Sequence, residues 1–95
     1  MTHDRILMKI RESVSNSNYN ITSHAHRAMF DDELTIVDVE HAILTGRIIE
    51  KQSDAATGDT KYLLHGETPW SDIEIALAFG TTGMLNIITV YTTEG

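Results

Sequence analysis

The stretch Thr35-Ile36-Val37-Asp38-Val39-Glu40-His41-Ala42-Ile43-Leu44-Thr45-Gly46-Arg47-Ile48-Ile49-Glu50 decides the fold, because its hydrophobic period changes within it. Before Gly46, Ile36, Val39 and Ile43 recur at helical spacing. Thr35, with Asp38 three residues on, reads as a capping box that starts this helix. Gly46 is placed as the C′ residue that ends it. After Gly46 the period becomes alternating, and Arg47-Ile48-Ile49-Glu50 reads as a strand.

Toward the N-terminus, Ile6, Leu7, Ile10 and Val14 form a helical stripe, with Lys9, Arg11 and Glu12 on the other side. The polar cluster Ser13–Asn20 ends that helix, because its side chains compete for backbone hydrogen bonds. A second helix starts near Thr22 or Ser23 and carries Ala25, Ala28 and Met29 on its apolar stripe. Asp31-Asp32-Glu33 oppose the helix dipole at its end, so this helix is expected to be short. Toward the C-terminus, Lys61–His65 reads as a second strand beyond a loop containing Gly58-Asp59. Asp72–Phe79 has the clearest alternation, with Ile73, Ile75, Leu77 and Phe79 on one face. Gly80-Thr81-Thr82-Gly83 is a turn leading into a β-branched strand, Met84–Thr92. It lacks the Lys and following helix of a phosphate-binding loop.

The expected fold is α+β in one domain, 1–95. Two or three N-terminal helices (about 3–46) pack on a four-stranded antiparallel sheet (about 47–93). The last strand is expected to be a sheet edge, a place for strand addition or homodimerisation.

Composition narrows the function. With no Cys, there is no disulfide framework, thiolate metal site or Cys nucleophile. The chain has no apolar run approaching the roughly 20 residues of a membrane helix, and no membrane role is expected. Met1-Thr2-His3-Asp4-Arg5 lacks the profile of a signal peptide, so a cytoplasmic location is expected. Against 7 Lys and Arg stand 14 Asp and Glu, a net charge of −7. That balance disfavours a nonspecific nucleic-acid coat. The acids Asp31, Asp32, Glu33, Asp38 and Glu40 cluster around the second and third helices. They leave room for one small pocket near Arg27 and Arg47, or for an acidic helical surface that meets a basic partner.

Several polar residues are candidates for chemistry. His24-Ala25-His26 cannot hold one metal on a helix, where residues two apart diverge by about 200°; on an extended segment they could, with a third ligand such as His65 or Glu50, but no metal and no cofactor is expected. His24 with Arg27 at a helix N-terminus forms a candidate phosphate site, in which Arg27 binds the anion and His24 moves a proton. The plainer alternative is a local cap with Arg27 paired to an acid such as Asp31. Glu50, His65, Thr89 and Tyr91 form a second group that can converge on the exposed face of the sheet, with Ile87 beside Thr89 and Tyr91. Their alternative reading is as ordinary solvent-facing or packing residues. Trp70, after Pro69, is either a contact anchor or a ring folded over the sheet.

The segments Ser23-His24-Ala25-His26-Arg27-Ala28-Met29 and Leu34–Glu50, the strand Tyr62–Gly66 and the final Ile87-Ile88-Thr89-Val90-Tyr91 resemble domain-of-unknown-function family 4258 over about residues 22–91. That resemblance implies a layout like that of small RelE-like toxins, some of which partner zinc-finger antitoxins. It implies metal-independent cleavage of RNA, with the 2′-hydroxyl as internal nucleophile. The residues matching the family pattern are His24, Glu50, Gly66, Thr89 and Tyr91. His24 then has the proton-transfer role and Arg27 the phosphate. The expected catalytic set is His24, Arg27, Glu50 and Tyr91, and the expected partners are an antitoxin protein and RNA. This chain departs from the pattern at Ala28, where many members carry Arg, and near Glu74, where many carry His. A noncatalytic interaction module, dimeric through its last strand, is the alternative function.

Overall fold

Apolar spacing and caps explain the helices where they form. The structure is a computed structural model that describes residues 3–93. It contains α1 (Asp4–Ser15), β1 (Tyr19–Ile21), α2 (Ser23–Asp31), α3 (Ile36–Thr45), β2 (Arg47–Ser53), β3 (Thr60–Glu67), β4 (Asp72–Phe79) and β5 (Leu85–Thr93). The leader reading begins at Met1-Thr2, outside the described residues. Helix α1 buries Ile10 and Val14, two members of its predicted stripe. Thr22 caps α2 by accepting a hydrogen bond from the Ala25 N–H at 3.1 Å. At α3 both halves of the capping box form: Asp38 N–H donates to Thr35 Oγ1 at 3.2 Å, and Thr35 N–H donates to Asp38 Oδ2 at 3.0 Å.

Gly46 ends α3, but not through the left-handed conformation expected of a C′ glycine. Its φ is −84° and its ψ −164°, an extended conformation open to any residue. Space is what demands glycine here, because a Cβ would strike the His65 carbonyl oxygen. Arg11 satisfies carbonyls left over at this helix end. Its Nε donates to Ile43 O at 3.2 Å and its Nη2 to Gly46 O at 2.6 Å. A cation thus sits at the negative end of α3, supplied by α1.

The three helices lie on one face of the sheet. Their Ile10, Ala25, Val39, Ala42 and Ile43 are fully buried with Leu64, Ile73, Ile75, Leu77, Leu85, Ile87 and Val90 of the strands. Each large aliphatic side chain so buried contributes about 1.5–3 kcal/mol before entropy is counted. No helix among the described residues is long and apolar enough to cross a membrane.

The sheet differs from expectation in two ways. It has five strands in the order β1-β5-β4-β3-β2, and it is mixed. Strand β1 pairs parallel to β5, Tyr19 opposite Leu85 and Ile21 opposite Ile87. Three residues at the end of a polar stretch carry no readable period, so β1 is invisible before β5 is in place. The parallel pairing follows the chain path, since β1 enters the sheet between α1 and α2 and meets β5 only after α2, α3 and three further strands. Second, β5 is not an edge. Beyond β1, α2 occupies its outer side: Thr22 N–H donates to Ile87 O at 3.1 Å, Thr22 Oγ1 donates to Ile88 O at 2.8 Å, and Asp32 Oδ2 accepts from Thr92 N–H at 3.2 Å. Homodimerisation through the last strand, the expected mode, therefore meets backbone groups already bonded. The long free edge is β2.

Candidate functional site

The face of the sheet away from the helices is uncovered, and cross-strand register lines up its polar side chains. Arg47 in β2 lies opposite His65 in β3, His65 opposite Glu74 in β4, and Glu74 opposite Tyr91 in β5. Four strands thus supply one row: a guanidinium, an imidazole, a carboxylate and a phenol. The next row is Glu50, Leu63, Ala76 and Thr89. Directly opposite side chains in a sheet stand about 5 Å apart, close enough to interact.

Two bulges aim these residues. In β2, Ile48 pairs with Leu64 and Glu50 with Leu63, leaving Ile49 as an extra residue. Strict alternation would turn Glu50 to the same side as the buried Ile48; the bulge returns it to the open face. In β5, Ile87 pairs with Leu77 and Thr89 with Ala76, leaving Ile88 extra. Ile87 is accordingly buried in the core while Thr89 and Tyr91 face out. This corrects the expectation that all three share a face. Thr22 holds the β5 bulge by donating its N–H and its hydroxyl to the successive carbonyls of Ile87 and Ile88.

Side-chain contacts link Tyr91, Glu74 and His65 of the row and run on to Asp72, while Arg47 joins it through strand register. Tyr91 Oη donates to Glu74 Oε1 at 2.7 Å. The other oxygen, Glu74 Oε2, lies 3.7 Å from His65 Nδ1, and His65 Nε2 lies 3.3 Å from Asp72 Oδ2. The imidazole side chain is 27% exposed and that of Glu74 19%, so both are half-buried yet reachable. The hydrogen bond to Glu74 raises the Tyr91 pKa above 10.0, reinforced by burial and by the charges of Glu74 and Glu50. Tyr91 is therefore a protonated donor, not a phenolate. An open pocket of about 310 Å³ adjoins the row, lined by Thr45, Gly46, Arg47, His65, Gly66 and Glu67. Gly66 is required where it sits, because a Cβ would lie 2.6 Å from both the Cβ and the carbonyl oxygen of Ala42 in α3.

The four expected catalytic residues separate into two pairs. Glu50 and Tyr91 share the open face. His24 and Arg27 are exposed on α2 and make no hydrogen bond or ion pair to that face among the described residues. Both His24 and His26 lie within the helix, which directs them apart. Among the described residues, no group of three His, Asp or Glu is arranged to hold a metal ion. Asp72 is a member of the site that sequence did not single out, while Arg47 was read only as a base near a small pocket and Glu74 only as a departure from the family pattern. Only the strand register brings them together, although the alternation of Asp72–Phe79 already placed Glu74 opposite the core face.

The family model described as "Domain of unknown function (DUF4258)" matches residues 21–92. The chain belongs to the DUF4258 family. The matched segment runs through α2, α3 and β2–β5, so the row, both bulges and both close-approach glycines lie inside the DUF4258 domain. Helix α1, which brings Arg11 to the end of α3, lies outside it. No curated protein and no solved structure matches the chain.

Proposed function

We propose that this DUF4258 chain is a small toxin-type protein that cleaves RNA without a metal, using the row Arg47–His65–Glu74–Tyr91. The observation that carries the reading is the assembly on one open face of an imidazole, a carboxylate, a protonated phenol and a guanidinium beside a pocket. Cleavage of this kind needs a base for the 2′-hydroxyl, an acid for the leaving 5′-oxygen and a positive group for the phosphate. His65, oriented between Glu74 and Asp72, takes the 2′-hydroxyl proton. The 2′-oxygen then attacks phosphorus, the bond to the 5′-oxygen breaks, and a cyclic 2′,3′-phosphate results. Arg47 contacts the phosphate, and Tyr91 is the nearest protonated group for the leaving oxygen. His24 with Arg27 on α2 forms the rival proton-transfer pair implied by the family pattern. The protein partner in this reading is an antitoxin, and the setting is the cytoplasm.

The test uses purified full-length chain and a labelled single-stranded RNA in excess EDTA. Wild type is expected to yield fragments ending in cyclic phosphate. His65→Ala is expected to slow cleavage about 10²–10⁴-fold, as for loss of a positioned acid–base group. An equal loss in His24→Ala with none in His65→Ala would move the chemistry to α2. A folded wild-type chain that leaves RNA intact would refute the ribonuclease reading.

One observation favours a second reading, a noncatalytic interaction module. Glu50, Glu67, Asp72 and Glu74 all stand on the open face, and carboxylates there repel a phosphate backbone. Under this reading RNA stays intact and the same face retains a protein partner, which substitution of Glu74 by Lys would release.

A further inference from the structure

The corner between α2 and α3 combines features that each work against stability. Glu33, just past the α2 C-cap, has a φ of 57°, a left-handed conformation that L side chains adopt at a steric cost. The turn is otherwise an ordinary glycine-type helix stop: Leu34 N–H donates to Met29 O at 2.8 Å and Glu33 N–H to Phe30 O at 3.2 Å. Asp31, Asp32 and Glu33 crowd carboxylates at the negative end of the helix. Phe30, in the last turn, is 83% exposed.

Facing this corner is the β3–β4 turn, Thr68-Pro69-Trp70-Ser71. Thr68 Oγ1 accepts from the N–H groups of Trp70 and Ser71 at 3.1 and 3.0 Å and donates to Ser71 O at 2.8 Å. That network holds the backbone while leaving the Trp70 ring 83% exposed. An open pocket of about 330 Å³ joins the two turns, lined by Asp32, Glu33, Leu34, Trp70 and Ser71. Asp32 is pinned there by the Thr92 N–H.

We infer that this corner docks a basic peptide segment of a partner protein. An Arg or Lys of that segment lies over the Trp70 indole, its charge meets Glu33, and its apolar neighbours cover the exposed Phe30. Charge selects this class of occupant. The chain carries −7, so a second copy brings like charge, and Asp31, Asp32 and Glu33 repel a polyanion at this corner. The pinned carboxylate and the locked turn hold the surface in place before binding, which lowers the ordering cost. The inference does not rest on the ribonuclease reading, since it uses none of the row residues.

The probe is a fluorescein-labelled nonapeptide of alternating Arg and Leu, with an alternating Glu-Leu peptide as control, followed by anisotropy with the full chain. Saturable binding of the Arg-Leu peptide is expected, weakened by salt, with no binding of the Glu-Leu peptide. Trp70 is the chain's single tryptophan, so its emission should change on the same titration. Trp70→Ala and Glu33→Gly are each expected to weaken binding about threefold to tenfold. Glu33→Gly should at the same time raise Tm by several degrees, about 4–8 °C, separating lost binding from lost fold. Glu12→Gln, an equal charge change on α1, should leave affinity unchanged. The inference is overturned if the Arg-Leu peptide does not bind, if Trp70→Ala and Glu33→Gly bind it like wild type, or if Glu12→Gln weakens binding as much as they do.

Discussion

Replacing Gly66 by Ala adds one methyl group where β3 passes under α3. Its Cβ would lie 2.6 Å from the Ala42 Cβ, 2.6 Å from the Ala42 carbonyl oxygen and 2.8 Å from the Ala42 Cα. None of these atoms belongs to a flexible side chain, so relief requires α3 to move off the sheet. Ala42 and its neighbour Ile43 are fully buried, and so is Leu64 two residues before Gly66 in β3. Overpacking of this kind costs about 1–3 kcal/mol. For a domain of this size that lowers Tm by about 4–8 °C per kcal/mol. Urea unfolding followed by circular dichroism measures the loss directly. A second variant isolates the cause. Ala42→Gly in the Gly66→Ala background removes the Cβ contact but leaves the carbonyl oxygen and Cα, so the double-mutant cycle should show a partial rescue of at least about 0.5 kcal/mol. A Gly66→Ala protein with the wild-type urea midpoint, or a cycle with no coupling, would refute the close-approach argument.

Arg11→Met keeps the apolar stem but removes the donors to Ile43 O and Gly46 O; a loss of about 1–3 kcal/mol is expected in urea unfolding, larger than for Arg5→Met on exposed α1 surface. Tyr19 donates to Glu40 Oε2 at 2.5 Å, and burial, then this hydrogen bond and charge, push its pKa up to about 12. The sign is that of a raised pKa: the stabilisation is fully present below the unfolded value near 10 and is lost as pH rises through about 12. Spectrophotometric titration at 295 nm should find this tyrosine late, and Glu40→Gln should bring it earlier without returning it to 10.0, because burial remains. Thr22→Val removes the α2 cap and the hydroxyl that meets Ile88 O; a loss of about 1–2 kcal/mol is expected, with faster amide exchange at Ala25 as the local readout.

Local chemistry made much of the fold legible. The Thr35–Asp38 capping box, the stripe containing Ile10 and Val14, and the alternation of Asp72–Phe79 each need only residues within one element, and each appears where it was read. At the site, Glu50 and Tyr91 were legible as polar residues on strands, and His65 as their neighbour. What hid Glu74 was its apparent plainness: a lone acid between two buried isoleucines signals a solvent face, and its meaning comes from Tyr91 and His65 on other strands.

By itself, then, the sequence determined two or three N-terminal helices, four of the strands and the DUF4258 pattern, because caps and periods act over a few residues. Only the tertiary structure decided that Tyr19–Ile21 is a strand, that β5 lies inside the sheet, and that Ile49 and Ile88 are bulges. A bulge is a property of two paired strands, since the extra residue exists only relative to the partner's count. The same holds for the row Arg47–His65–Glu74–Tyr91: its members are 44 residues apart from first to last by number and become neighbours through backbone pairing alone.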